Sequence, residues 1–179
     1  MIDSIGASGE IITTPSPDPD TNPATTSRSQ RHKVVIKMID LPLATKTTFG
    51  FHSQFTDPER SRQTIALAED CGFDAVAVGD HLSFPLPISD PLLQLAQVAA
   101  LSENLAIHTS VFLLALRHPL AVAKQVATLD RISGGRLVFG VGVGGEFPNE
   151  FAAAGVPVRE RGSRLDESVE VMRKLWTGE

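Results

Sequence analysis

The stretch HPLAVAKQVATLDRISGGRLVFGVGVGG, residues 118–145, holds a helix, its stop, a strand and a glycine-rich loop in succession. His118-Pro119 predicts a helix start, because proline is tolerated at the first helical position, where its missing N–H has no intrahelical partner anyway. Ala123, Val126 and Leu129 recur on one face at helical spacing. Ser133-Gly134-Gly135 predicts the stop, since glycine enters the left-handed conformation of a helix end without steric cost. The apolar run at 136–141 then reads as a strand covered by packing.

The same unit recurs on both sides. Upstream, a short apolar segment at 49–55 leads to Asp57-Pro58-Glu59, a cap, a first-turn proline and an acid suited to the positive helix start. That helix runs to Cys71 and ends at Gly72, and residues 73–79 form a second, nearly continuous apolar strand. Asp90-Pro91 repeats the start signal, with Leu92, Leu95, Ala96 and Ala99 following, and a third strand lies at 105–111. Downstream of Pro157, Leu165, Val169, Met172 and Trp176 form one apolar stripe ending at Thr177-Gly178. Four strand-helix units in strict alternation predict an α/β fold with a parallel sheet. An open doubly wound sheet and a piece of a (β/α)₈ barrel both satisfy the pattern. In either, ligands bind beyond the C-terminal ends of the strands.

Composition narrows the function classes. The chain has 179 residues, 42% hydrophobic and 21% charged, with 16 Lys and Arg against 21 Asp and Glu and no tyrosine. A net charge of −5 offers no basic footprint for nucleic acid or an anionic membrane. No run of about 18 apolar residues predicts a membrane span. The single cysteine, Cys71, excludes an internal disulfide and suits a reducing compartment, so a cytoplasmic location is expected. Residues 1–30, with Pro15, Pro17, Pro19 and Pro23 among Ser, Thr and Asp, are expected to be disordered. Residues 1–45 are read either as a natural tail or as a stretch preceding a true start at Met38, and residues 46–179 as the folded part.

The strand ends supply the candidate chemistry. His52, Ser53 and Gln54 follow strand one; Asp80 and His81 follow strand two; Thr109, Ser110 and Val111 end strand three; Gly142, Val143, Gly144, Gly145 and Glu146 follow strand four. A histidine beside an acid at a strand end can bind a ligand or move a proton near neutral pH. Equally, Asp80 can cap a turn and leave His81 on the surface. His52, His81 and Glu146 lack the helical spacing of familiar zinc sites, and no metal is expected. Residues 140–145 fit G-x-G-x-x-G, but in the fourth unit rather than the first, with five residues before any helix. Glycines there let backbone approach a flat ligand or a neighbouring strand. Arg117-His118-Pro119 reads as a local helix start, with Arg117 available to an anionic group.

Four segments carry a resemblance: GFDAVAVGDHL (72–82), DPLLQLAQVAALSENLAIHTSV (90–111), LRHPLAVAKQVATLDRISGGRLVFGVGVGGEFPNEFAAAGVP (116–157) and RGSRLDESVEVMRKLWTGE (161–179). Together they resemble the bacterial luciferase-like monooxygenases, most of all the branch that uses the deazaflavin coenzyme F420. The resemblance implies a TIM barrel of which this chain is the N-terminal half: 179 − 45 leaves 134 residues, against roughly 250 for a full (β/α)₈ barrel. It implies hydride exchange between F420 and a small organic substrate, or monooxygenation with FMN instead. It places His81, beside Asp80, at the reactive face of the coenzyme and a cis peptide at Ser110-Val111 behind the central ring. It sets Gly142, Val143, Gly144 and Gly145 along the coenzyme, and matches Glu146 to a general acid of the family's sugar-phosphate dehydrogenases. Those enzymes carry a tryptophan shortly after the histidine, absent from residues 81–85, and an acid in the first strand region, replaced around Ser53-Gln54. Sugar phosphate is therefore not the expected substrate. A four-strand piece leaves edges at strands one and four, which favours a homo-oligomer, a missing C-terminal half, or a non-catalytic remnant that needs a partner half.

Overall fold

The computed structural model describes Asp3–Ser4 and residues 47–178. Four parallel strands, β1 (Gly50–His52), β2 (Ala75–Val78), β3 (Ala106–Phe112) and β4 (Leu137–Val141), lie side by side in chain order. They alternate with α1 (Pro58–Asp70), α2 (Pro91–Leu101) and α3 (Pro119–Ile132). After β4 come α4 (Pro148–Ala153) and α5 (Arg161–Thr177). The expected alternation is present, with one short helix, α4, added inside the loop after strand four. The expectation of a disordered tail falls on residues outside the described ones, apart from Asp3–Ser4, which pair antiparallel with Val141 and Gly140 at the outer edge of β4.

The helix starts form as their sequences dictate. Asp57 Oδ1 accepts from the Arg60 N–H at 2.7 Å, and Asp90 Oδ1 from those of Leu92 and Leu93 at 3.0 and 3.1 Å. His118 caps α3 through Nδ1, which accepts from the Leu120 N–H at 3.3 Å. Each satisfies a donor that the first helical turn leaves without a partner. Gly72 and Gly134 take φ of 76° and 67° at the ends of α1 and α3, a conformation that side chains oppose.

One face of the sheet carries the core. Val76, Val78, Ile107 and Phe112 are buried in one cluster with Leu95 and Val98 of α2, Val122 and Val126 of α3, and Leu165 and Met172 of α5. The last member of the α5 stripe, Trp176, sits at the margin and donates its indole N–H to the Ala123 carbonyl on α3 at 3.0 Å. On the opposite face the register aligns His52, Ala77, His108 and Val138 in one row. His52 is exposed and the other three are half-buried. A doubly wound sheet would bury both faces under helices. Helices on one face, and small or half-buried residues on the other, are the wall of a barrel, whose inner face is filled in a complete fold by side chains from all eight strands. β1 and β2 are shorter than their apolar runs: residues 73, 74 and 79 lie outside β2, and Phe55, buried but outside β1, donates its N–H to Gln94 Oε1 at 2.8 Å, whereas β3 runs one residue further than expected, to Phe112.

The inner row carries a pH-dependent term. Burial lowers the pKa of His108 below its ordinary 6.5, because the charged ring loses solvation. Between that lowered value and 6.5 the unfolded chain binds a proton that the folded chain refuses. Stability therefore falls as pH drops through this window and levels off beneath it. His108→Gln is expected to flatten that part of the profile when denaturation midpoints are followed from about pH 7.5 down to about pH 5. An unchanged slope would contradict the assignment.

Candidate active site

The C-terminal strand ends converge through two carboxylates. Asp80, just past β2, is buried, and both its oxygens are engaged across the sheet by the loop that follows β3. Oδ2 accepts from the Leu113 N–H at 2.8 Å and from Arg117 Nη1 at 2.6 Å, while Oδ1 accepts from Arg117 Nη2 at 2.8 Å. The guanidinium lies 4.2 Å from the centre of the Phe112 ring, which adds a cation–π contact to the bidentate pair. The anion expected to meet Arg117 is thus Asp80, and the pair locks the β2 and β3 ends together.

The second carboxylate belongs to Glu150 on α4, which is 1% exposed. Its Oε2 lies 3.1 Å from His81 Nδ1, and its Oε1 accepts from the N–H groups of Leu82 and Ser83, the latter at 3.1 Å. The His81 ring stacks on Phe84, centroids 4.0 Å apart and 21° between planes, and Phe84 meets Phe147 edge-on. His81 is therefore neither a loose surface residue nor paired with its sequence neighbour Asp80.

The remaining predicted residues sit at the ends of β1, β3 and β4. The peptide between Ser110 and Val111 is cis, at a register shift between Thr109 and Phe112. Ser110 is exposed and Val111 half-buried, while Thr109 is buried, its hydroxyl donating to the Gly140 carbonyl at 2.7 Å. Gly142 packs directly on Val111: a Cβ there would overlap Val111 Cγ2 and lie 3.3 Å from its Cβ. Gly144 and Gly145, at φ of 60° and 118°, run against Leu113 and Phe151 and against Arg161, respectively. Gly142 thus brings this loop close to the neighbouring strand end, one of the two uses open to these glycines. Val143, Gly144 and Gly145 remain half-buried, and Glu146 is exposed. His52 packs against the end of β2, its Nε2 3.2 Å from the Cβ position of Gly79.

A flat heteroaromatic ring needs an apolar wall and a few polar groups at its edge. Half-buried Val111 and Val143 supply the first, and the Ser110 hydroxyl and His81 imidazole the second, so the donor set suits a flavin-like group. Glu150 is the residue that sequence reasoning missed. Its partner is 69 positions away, and the only local cue was the unread helix start at Phe147-Pro148.

The sequence matches the profile of the luciferase-like monooxygenases over residues 41–179. The chain belongs to that family. Over 143 residues it is 38% identical to an F420-dependent glucose-6-phosphate dehydrogenase of Nakamurella multipartita, covering 73% of this chain and 41% of that protein. Among solved structures it resembles the monooxygenase RslO1 of Streptomyces bottropensis, at 30% identity and TM-score 0.63, covering 73% of this chain and 43% of the other. It also resembles an F420-dependent secondary alcohol dehydrogenase in complex with an F420-acetone adduct, at 28% identity and TM-score 0.62, covering 73% and 42%. The chain thus spans about two-fifths of the length of these luciferase-like proteins, and its four βα units are those of a (β/α)₈ barrel. Among the described residues, no helix is long and apolar enough to cross a membrane.

Proposed function

We propose that this luciferase-like chain forms the coenzyme-facing half of an oxidoreductase that exchanges hydride between F420 and a small organic substrate in the cytoplasm. The observation that carries the reading is the convergence of His81, Ser110-Val111 and Gly142 to Gly145 at one end of the sheet. Likeness to an F420-dependent alcohol dehydrogenase and to an F420-dependent sugar-phosphate dehydrogenase supports the choice of coenzyme. F420 supplies a two-electron carrier when bound. Ser110, Val111 and the loop at 142–145 would hold its ring, with Asp80 fixing the strand ends behind it. His81 would accept the proton of a substrate hydroxyl at a ring nitrogen as the carbon is oxidised to a carbonyl, and return it in the reverse direction. Exposed Glu146, on the same loop, would serve as a second acid at the rim. The other βα units of the family's barrel would complete the pocket.

A second reading, monooxygenation, is supported by the 30% identity to the monooxygenase RslO1, with FMN as the cofactor that the family resemblance implies for it. Titration of the purified protein with F420 and with FMN, followed by absorbance and fluorescence, separates the two. Saturable F420 binding is expected. Binding of FMN alone would shift the reading to the monooxygenase, and binding of neither would overturn both.

A further inference from the structure

Glu150 is an acid buried to 1% exposure, a costly placement unless every oxygen finds a donor. Three donors meet it: the Leu82 and Ser83 N–H groups on Oε1 and the His81 ring on Oε2. An ionised carboxylate has only acceptors to offer, so a hydrogen bond to it requires His81 Nδ1 to carry the proton. In water a neutral imidazole prefers the proton on Nε2. Here the contact imposes the opposite tautomer and leaves Nε2 as the ring's basic atom. The same carboxylate pins the backbone of the two residues after His81, and the Phe84 stack holds the ring plane. The tautomer is therefore set by Glu150, and the ring's position by Glu150 together with Phe84.

We propose that Glu150 is the positioning residue of His81: it fixes the Nδ1–H tautomer, presents Nε2 as the proton acceptor, and stabilises the imidazolium formed when Nε2 takes a proton. The use of that proton rests on the function proposed above; the tautomer itself does not. The arrangement is the carboxylate–imidazole logic of hydrolytic triads, in which the acid orients the ring without itself becoming protonated. The residues around the ring are Glu150 from α4, and Phe84 from its own loop, which in turn meets Phe147 from the loop after β4. Among the described residues, Glu150 is the ionisable group paired with the ring, so replacing it addresses that contact directly.

The test uses Glu150→Gln. Glutamine retains an oxygen for the Leu82 and Ser83 N–H groups, but places an amide N–H₂ where Oε2 met His81. A donor there demands an unprotonated Nδ1, so the ring must change tautomer. Long-range ¹H–¹⁵N correlation spectra of uniformly labelled chain report the state of each ring nitrogen, and His81→Gln assigns the resonance among the five histidines. The proposal expects a protonated Nδ1 and an unprotonated Nε2 for neutral His81 in the native chain, and the reverse in Glu150→Gln. A native His81 protonated on Nε2 overturns it. So does a folded Glu150→Gln whose tautomer is unchanged, which would leave Glu150 as a loop anchor alone. Should the variant unfold, the native spectrum by itself decides. Coenzyme titration is a separate readout: a chain with the expected tautomers that binds neither F420 nor FMN would remove the proposed function and leave the role of Glu150 standing.

Discussion

Replacing Asp80 by alanine is expected to remove about 3–5 kcal/mol of folding stability, the effect of breaking one partner of a buried ion pair. The side chain is 0% exposed and that of Arg117 13%, so water cannot take over its hydrogen bonds. Its loss leaves the guanidinium with the Leu113 carbonyl at 3.3 Å and the Phe112 ring, and leaves the Leu113 N–H without its acceptor. Asp80→Asn, which keeps an acceptor for that N–H, is expected to lose less. In an Asp80→Ala, Arg117→Ala double variant the total should fall well short of the sum of the two single losses, since each already breaks the same contact. Urea denaturation followed by circular dichroism measures all four. A loss below about 1 kcal/mol for Asp80→Ala, the range of exposed pairs, would contradict the buried clamp.

The second large effect is expected at Gly142. A methyl group there overlaps Val111 Cγ2, and neither strand end can retreat without disturbing the Asp80 clamp on the following loop. Gly142→Ala is expected to destabilise by about 1–3 kcal/mol, the usual cost of overpacking, and to weaken coenzyme binding by moving Val111. Adding Val111→Ala removes the obstructing methyl groups and should recover much of the stability. Denaturation of the single and double variants tests this pairing, and failure of the second substitution to rescue the first would show that the contact is not the cause.

The parts of the architecture that were legible from residues are those with local causes. Asp57-Pro58, Asp90-Pro91 and His118-Pro119 each act within one helical turn, and the bonds they make in the structure are those their chemistry predicts. Barrel wall and doubly wound sheet could not be separated by alternation, because Ala75 and Ala77 read as apolar whether helices or the packed barrel interior lie beside them. The site was legible as a set of strand ends and through family resemblance, which pointed to Ser110-Val111 and His81. Its wiring was not. Asp80 finds Arg117 37 positions on, and His81 finds Glu150 69 positions on, and neither separation leaves a periodic trace. Adjacency in sequence suggested Asp80 as the companion of His81, whereas successive residues leaving a strand turn to different surroundings: Asp80 inward to the clamp, His81 toward α4.

The central claim, that the C-terminal strand ends of this chain hold the coenzyme ring, is tested most directly by carrying the F420 titration through ¹H–¹⁵N spectra of the labelled protein. This remains informative at the weak affinity expected of part of a pocket. Saturable shifts are expected at His81, Ser110, Val111, Val143, Gly144 and Gly145, with the turns at the opposite end, Gly72 and Gly134, unmoved. Shifts at Gly72 and Gly134 with the strand ends silent, or no saturable shift anywhere, would contradict it.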